Sequence, residues 1–427
     1  MSQLAILGGA PLRTEPWQSW PILGPEEEQA VLFAIRARKL WYGEKVKEFE
    51  AAYAQFQDAV YGVSCTNGTT AIEISLIASG IGAGDEVITT PFTFMATASA
   101  ILKANAVPVF ADVDPVTGNL DPDAVERCIT PQTRAVLPVH VAGLPVDIDR
   151  FEEIGRRRNL LIIYDAAHGW GTIWRGKGVG AYGAYNTYSF QNSKHITAGE
   201  GGMILTNDAE RAERARSLTN CGRLSTGEWY QHFLLGSNQR MTEIQAAILL
   251  VQLSRLEEQT LTRMRNASWL ARQVKTLPGL GTIPDDPRVS RRSWHAFQIQ
   301  YNKSAWNNLP RERFLQALQA EGVRIRQTWP LLYRMPLFAS YTRQGPKACP
   351  ISCPHHQGPV QDYGRLRLPH AEALADETGV WVHHTWLLGD GSDVRDLFDA
   401  MVKVRENLDE LTRAWQNGSL PAPTSKE

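Results

Sequence analysis

Residues 61–80 read YGVSCTNGTTAIEISLIASG: a short run with β character, a polar turn, then an apolar stretch of helical character. The same alternation continues outward along the chain. Runs rich in Val, Ile, Tyr and Thr recur as DEVITTP, VPVFADV, AVLPVHV, LLIIYDA, AYNTYSF and GGMILTN, each bounded by Gly, Asp, Asn or Pro. Helical segments such as MATASAILKAN lie between them. Strand–helix alternation predicts an α/β fold, with a mainly parallel sheet covered on both faces. In such sheets ligands sit beyond the carboxyl ends of the strands.

The chain has 427 residues, more than one compact core accommodates. Residues 1–24, rich in Pro, Gly and Trp, read as an irregular N-terminal arm. Helix begins at Pro25, where acidic residues crowd the first turn and complement the helix dipole. Residues 25–255 are expected to form a large domain. Residues 242–275 read as one long helix, or two in tandem, that leaves this core and bridges to a second domain, its charged later half (255–275) solvated. Residues 256–415 mix a strand, WHAFQIQY, with helices and predict a smaller α/β domain. The tail, 416–427, is expected to be disordered.

Lys and Arg number 44 against 45 Asp and Glu, a formal net charge of -1. This balance, with no helix-turn-helix segment in view, argues against nucleic acid or an anionic membrane as partner. Five sparse cysteines do not make a disulfide framework, and the N-terminus lacks the features of a signal peptide. A reducing cytoplasm is the expected compartment.

Three features carry chemistry. Asn67-Gly68-Thr69-Thr70-Ala71 follows one strand and opens a helix, so free N–H groups and hydroxyls face an anion such as a phosphate; a plain helix cap would look the same. Asp165 ends the apolar strand LLIIYD and faces the ligand crevice, although a cap or metal-binding role fits it too. Lys194 ends SFQNSK and precedes the Gly-rich TAGEGG, a setting that can desolvate an amine nucleophile; a solvated surface lysine is the bland alternative. Phosphate cradle, strand-end carboxylate and strand-end amine are together the parts a pyridoxal 5'-phosphate site needs.

At NGTTAI, TTPFTFMATA, PVHVAG, DAAHGWG, SFQNSK with TAGEGG, and GSNQRMTEIQAAI, the chain resembles the DegT/DnrJ/StrS sugar aminotransferases, which are fold-type-I pyridoxal-phosphate enzymes. The resemblance runs from about residue 20 to about residue 390. It implies a large domain with a mainly parallel seven-stranded sheet, plus a smaller C-terminal α/β domain. Lys194 would be the Schiff-base lysine and proton shuttle, and Asp165 would pair with the pyridine nitrogen. His168 would lie near the cofactor's phenolic oxygen and Phe94 would stack on its ring. Gly68, Thr69, Thr70 and Ser189 would bind its phosphate, and Asn238 would reach the phosphate of a partner subunit, which implies a homodimer.

Gln191 in SFQ, with WVHHTWLLG near the end, resembles the glutamine-dependent scyllo-inosose aminotransferases and the 3-amino-5-hydroxybenzoate synthases. The expected reaction moves an amino group from glutamine or glutamate to a cyclitol or sugar ketone, with Tyr42, Gln191 and His384 as substrate contacts. The rivals are an aromatising dehydratase on the same cofactor, an aminotransferase for nucleotide-linked keto-sugars, and a cofactor-binding regulator without turnover. The presence of Lys194 argues against the last. Cys349, Cys353, His355 and His356 offer soft ligands at a spacing too tight for a zinc site, so no metal is expected. Arg324, Arg326 and Trp329 in VRIRQTWP fit a carboxylate or polyol contact as well as a solvated strand face, and His383 fits a pocket or a surface.

Overall fold

In a computed structural model the described residues are 2–228, 230–323, 325–338, 349–350, 354–359 and 362–422. Arg324 and Cys353 lie outside them. The seven runs read as strands pair into one sheet in the order β1-β9-β8-β5-β4-β2-β3. These are β1 (Tyr61–Cys65), β2 (Glu86–Thr89), β3 (Val107–Phe110), β4 (Thr133–Leu137), β5 (Leu161–Asp165), β8 (Tyr185–Ser189) and β9 (Gly202–Thr206). Only β9 runs antiparallel to its neighbours. The carboxyl ends of β1, β5 and β8 therefore meet at one rim, and β9 begins there.

Helices α3 (Gly68–Ala78), α4 (Ala96–Lys103), α5 (Pro122–Cys128), α6 (Ile148–Arg158) and α7 (Ala209–Thr219) alternate with the strands. β5 shows why its sequence is apolar throughout: Ile163 joins the core beneath α3, α4 and α7, while Ile162 and Tyr164 join the core on the opposite face with Val125 and Phe151. A strand covered on both faces cannot alternate apolar with polar residues.

α1 (Pro25–Arg36) and α2 (Glu44–Phe56) pack on α8 (Glu243–Val274). α8 is a single helix, not two, opened by a capping box between Thr242 and Gln245. Its first half buries Ala246, Leu249 and Leu256 with the large sheet, and its second buries Ala267, Leu270 and Val274 in a separate core. That second core is built on a four-stranded antiparallel sheet: β10 (Leu280–Thr282), β12 (Ala296–Tyr301), β14 (Gly379–His383) and β13 (Arg326–Gln327). It is covered by α9 (Arg311–Ala320) and the helices Gly391–Glu406 and Leu408–Gln416. A small sheet of β11 (Val289–Arg291), β6 (Ile173–Trp174) and β7 (Lys177–Gly178) completes the strands.

Two sequence expectations need correction. The charged half of α8 is not simply a solvated face: Arg263 is fully buried, and Arg255 pairs with Glu27. The end of the chain is packed as far as it is described, with Leu420 in the second core and the Pro421 carbonyl accepting from Arg313 and Gln316. The irregular N-terminal arm is anchored to the second core. Leu4 is buried in the second core, and the carboxylate of buried Glu321 accepts from the Ala5 and Leu12 N–H groups and from Lys403. A buried carboxylate is tolerable when its lone pairs are used in this way. Among the described residues no helix is long and apolar enough to cross a membrane.

Candidate active site

The rim where β1, β5 and β8 end opens into a cavity of about 920 Å³. Gly68, Thr69, Thr70, Phe94, Asp165, His168, Ser189, Gln191 and Lys194 all line it. Nine residues from four stretches of sequence thus converge on one space. The antiparallel sheet closes the other side with Ala296, Arg326, Gln327, Trp381 and His383.

α3 begins on this cavity. Asn67 caps it, its side chain accepting from the Thr70 N–H at 2.9 Å. The Gly68 and Thr69 N–H groups have no hydrogen-bond partner among the described residues and stay open to an anion, where the helix dipole favours negative charge. Gly68 is there for contact: a Cβ on it would meet the Ser189 Cβ at 2.7 Å. The same crowding explains Gly202, whose Cβ would meet the Asn67 carbonyl oxygen at 2.3 Å. Strands β1, β9 and β8 can close up at this rim only because these positions lack side chains.

Asp165 is held in a fixed orientation. The Thr97 hydroxyl donates to Oδ2 at 2.8 Å and the Ala167 N–H donates to Oδ1 at 3.1 Å, while Thr93 and Thr97 share a hydrogen bond. Burial raises the Asp165 pKa above the ordinary carboxylate value, opposed by these two donors and by the charge of Lys194. Burial lowers the Lys194 pKa to about 8, opposed by Asp165. Its Nζ lies 5.7 Å from the centre of the buried Trp170 ring. A preformed carboxylate and a partly desolvated amine therefore share the cavity with an anion cradle.

Around Lys194 stands a group of buried imidazoles. His168 stacks on His295 at 3.9 Å and on Trp329 at 5.4 Å. Burial lowers the pKa of His383 to about 4 and pushes His168, His195, His295 and His384 well below the ordinary histidine value, so all are neutral near pH 7. His195, His295 and His384 approach within 4.8 Å of one another. The electrostatics there disfavour a cation. Buried Arg263 donates to the His384 carbonyl and Nδ1, and the other His384 ring nitrogen is 2.9 Å from the Ser193 carbonyl.

Two expected substrate contacts are corrected by this geometry. His384 lies behind the cavity wall, bonded to the loop that carries Lys194; its neighbour His383 faces the cavity instead. His383 is the last residue of β14 and shares the cavity-facing side of that strand with Trp381, whereas His384 begins the turn that follows. Tyr42 does not line the cavity: its hydroxyl meets Glu50 at 3.3 Å and Arg216, between α2 and α7. Asn238 is exposed and pairs by backbone with Asn220, away from this cavity. Gln191 is on the wall, its Oε1 accepting from the Ser193 N–H and hydroxyl. His356 is bonded to buried Glu86 at 2.9 Å. The sequence reading missed Thr97, Trp170, His295 and Trp381. Thr97, Trp170 and Trp381 lie in quoted motifs and His295 in the strand WHAFQIQY, but nothing local says that His295 and Trp381 face the rim, since the folding of a distant sheet brings them there.

The model of the DegT/DnrJ/EryC1/StrS aminotransferase family matches residues 21–384. A Micromonospora echinospora protein, provisionally named L-glutamine:3-amino-2,3-dideoxy-scyllo-inosose aminotransferase, is 38% identical over 421 residues, 96% of this chain and 99% of the relative. A Geobacillus stearothermophilus protein named pleiotropic regulatory protein is 40% identical over 321 residues, 74% of this chain and 84% of the relative. The crystal structure of 3-amino-5-hydroxybenzoic acid synthase superposes with a TM-score of 0.82 at 31% identity, covering 94% of this chain and 100% of that one.

Proposed function

The chain belongs to the DegT/DnrJ/EryC1/StrS aminotransferase family, and from that premise we propose that it moves an amino group from glutamine to the ketone of a free cyclitol of the scyllo-inosose type, using pyridoxal 5'-phosphate, as a homodimer. The observation that carries this reading is the cavity itself. Lys194, the fixed Asp165 carboxylate and the open N-terminus of α3 share it, and neutral imidazoles and the amides of Gln191 and Gln327 contribute to the remaining wall beside Lys103, Glu200 and Arg326.

The residues fit the cofactor. Among the described residues the Gly68 and Thr69 N–H groups have no partner, and the Ser189 hydroxyl accepts from the Gln191 N–H at 3.3 Å and donates to none of them. These groups would hold the phosphate. Asp165 would hold the pyridine nitrogen in its protonated form. When bound, pyridoxal phosphate supplies an aldehyde for the amine and a ring that draws electrons from the reacting carbon. Lys194 would be the attachment point and, once released, the base that moves a proton at the substrate carbon; a depressed pKa suits an amine to that task near neutral pH. His168 and the exposed face of Phe94 would bracket the ring.

Neutral hydrogen-bonding groups suit the hydroxyls of a free cyclitol, because a substrate without matching hydroxyls leaves them unpaired. The name of the Micromonospora relative supports both glutamine as donor and a cyclitol as acceptor. The relative named a regulator leaves a non-catalytic rival in view, and retention of Lys194 speaks for turnover. The likeness to 3-amino-5-hydroxybenzoic acid synthase favours a second reading, an aromatising dehydration. A homodimer is supported by apolar side chains left exposed on this subunit, among them Phe33, Trp41, Phe233 and Leu235. Asn238, exposed on the same stretch as Phe233 and Leu235, would complete the partner's phosphate site.

Relative kcat/KM for a panel of ketones, with glutamine as donor, tests the assignment. A scyllo-inosose-type ketone should exceed a nucleotide-linked keto-sugar, with no aromatic product. A nucleotide-linked substrate ahead by about tenfold, or about 1.4 kcal/mol of transition-state preference, would remove the cyclitol assignment. An aromatic product would favour the dehydratase.

A further inference from the structure

We propose that Arg326 is the residue that binds the α-carboxylate of the amino donor. The inference rests on the glutamine-dependent reading above and deepens it. A two-step transfer brings two different molecules to one cavity in turn. The cyclitol is uncharged, whereas an amino acid carries a carboxylate that loses its hydration on entry. A carboxylate leaving water needs a paired, hydrogen-bonded cation.

The cavity offers few cations for this. Lys194 belongs to the chemistry. Lys103 sits 3.7 Å from Glu73, a partner it already has. Arg326 also lines the cavity, and no ion pair or hydrogen bond ties its guanidinium to another described residue. Its strand fixes where it points. Arg326 lies directly opposite Trp381 in the antiparallel pairing of β13 with β14, and residues opposite each other share a face of the sheet. His383, two residues beyond Trp381, is on that face too, opposite Ala296. All four line the cavity.

The guanidinium is thus presented beside an indole and a neutral imidazole, on the wall contributed by the antiparallel sheet. Arginine's planar fork can grip a carboxylate with two parallel hydrogen bonds, which orients the amino acid as well as attracting it. His383 stays uncharged because burial and the nearby Arg326 charge both disfavour its protonation. It can therefore hydrogen-bond without adding a second cation that would also attract unwanted anions. The α3 cradle lies on the other wall, so a phosphate there and a carboxylate at Arg326 do not compete for the same donors.

The test compares L-glutamine with its α-carboxamide in wild type, Arg326→Gln and Arg326→Lys. Wild type should prefer glutamine by about tenfold or more in kcat/KM, the scale of a lost charge-assisted hydrogen bond. Arg326→Gln should erase that preference, Arg326→Lys should restore part of it, and the loss in the glutamine half-reaction should exceed any loss in amination of the ketone from the pyridoxamine-loaded enzyme by about tenfold. As a readout independent of turnover, calorimetric titration of the holoenzyme with glutarate should weaken by about tenfold in Arg326→Gln. An unchanged preference and unchanged glutarate affinity in Arg326→Gln would overturn the assignment. So would equal losses in the donor and ketone half-reactions, or a loss confined to a nucleotide-linked ketone, which would give the guanidinium to the acceptor. If wild type moves no amino group from glutamine to any ketone, the functional reading fails, and the glutarate titration still decides the anion site.

Discussion

Asp165 was legible in the sequence because it ends an apolar strand, where a charged residue has a ligand to face rather than a core to disturb, and Lys194 because it follows β8 in a loop that runs into the Gly-rich TAGEGG. The residues that tune them were not. Thr97, which donates to Asp165, comes from α4, 68 positions away in sequence, and looks like any small polar residue on a helix. The environment of Lys194 gives a pH prediction. Burial lowers its folded-state pKa from 10.5 to about 8, so the reactive neutral amine is reached at a lower pH than for a lysine in water. The rate at which cofactor-free protein takes up pyridoxal phosphate, followed by absorbance, should rise with pH and level off just above about 8. A rise that continues toward 10.5 would mean the amine is not desolvated. The same shift makes a small contribution to stability. The unfolded chain binds this proton more tightly than the folded one, so the contribution is full above 10.5 and is lost as pH falls through about 8.

At the scale of the element, α3 is where a local sequence signal became a site. NGTTA announced a helix start, and the structure adds that this start is wedged against β8. The wedge makes a strong prediction for one atom. In Gly68→Ala the added Cβ would lie 2.7 Å from the Ser189 Cβ and 3.2 Å from its Oγ, both on the strand that supplies part of the cradle. Backbone must move, because these neighbours are the base of a short side chain and not a flexible tip. Overpacking of this kind costs about 1–3 kcal/mol. We expect Gly68→Ala to fold with a lowered unfolding midpoint and to bind pyridoxal phosphate at least about tenfold more weakly, equivalent to about 1.4 kcal/mol, since the N–H groups are displaced from their aim. Equilibrium dialysis alongside urea denaturation would check both. Unchanged cofactor affinity would show that the first turn of α3 is not the phosphate site.

β14 shows the limit of reading elements from sequence. The pair at 383–384 was visible, but which histidine faces the cavity depends on strand register, and register is set by the pairing with β12 and β13. The tail was misread for a related reason. Its composition is that of a loop, yet Leu420 joins Leu4 in a common core because the helices that end the chain pack beside α9 and the start of the chain. Contacts between the two ends of a sequence leave no local trace.

For the whole molecule, the alternation of strands and helices announced a mainly parallel sheet, the structure adds that β9 is its reversed strand, and the family motifs located the rim at which the ligand residues meet. The second wall of the cavity was far less legible. It is built by an antiparallel sheet whose cavity-facing residues, from Ala296 to His383, are spread over a long stretch of chain. The account as a whole stands on the claim that this cavity holds pyridoxal phosphate on Lys194. The most direct measurement is to load the protein with pyridoxal phosphate, reduce it with borohydride, digest it, and map the modified peptide by mass spectrometry. The account predicts a single adduct on the peptide that carries SFQNSK, at Lys194, and none in Lys194→Ala. An adduct on another lysine, such as Lys103, or no adduct under conditions that saturate the absorbance change, would contradict it.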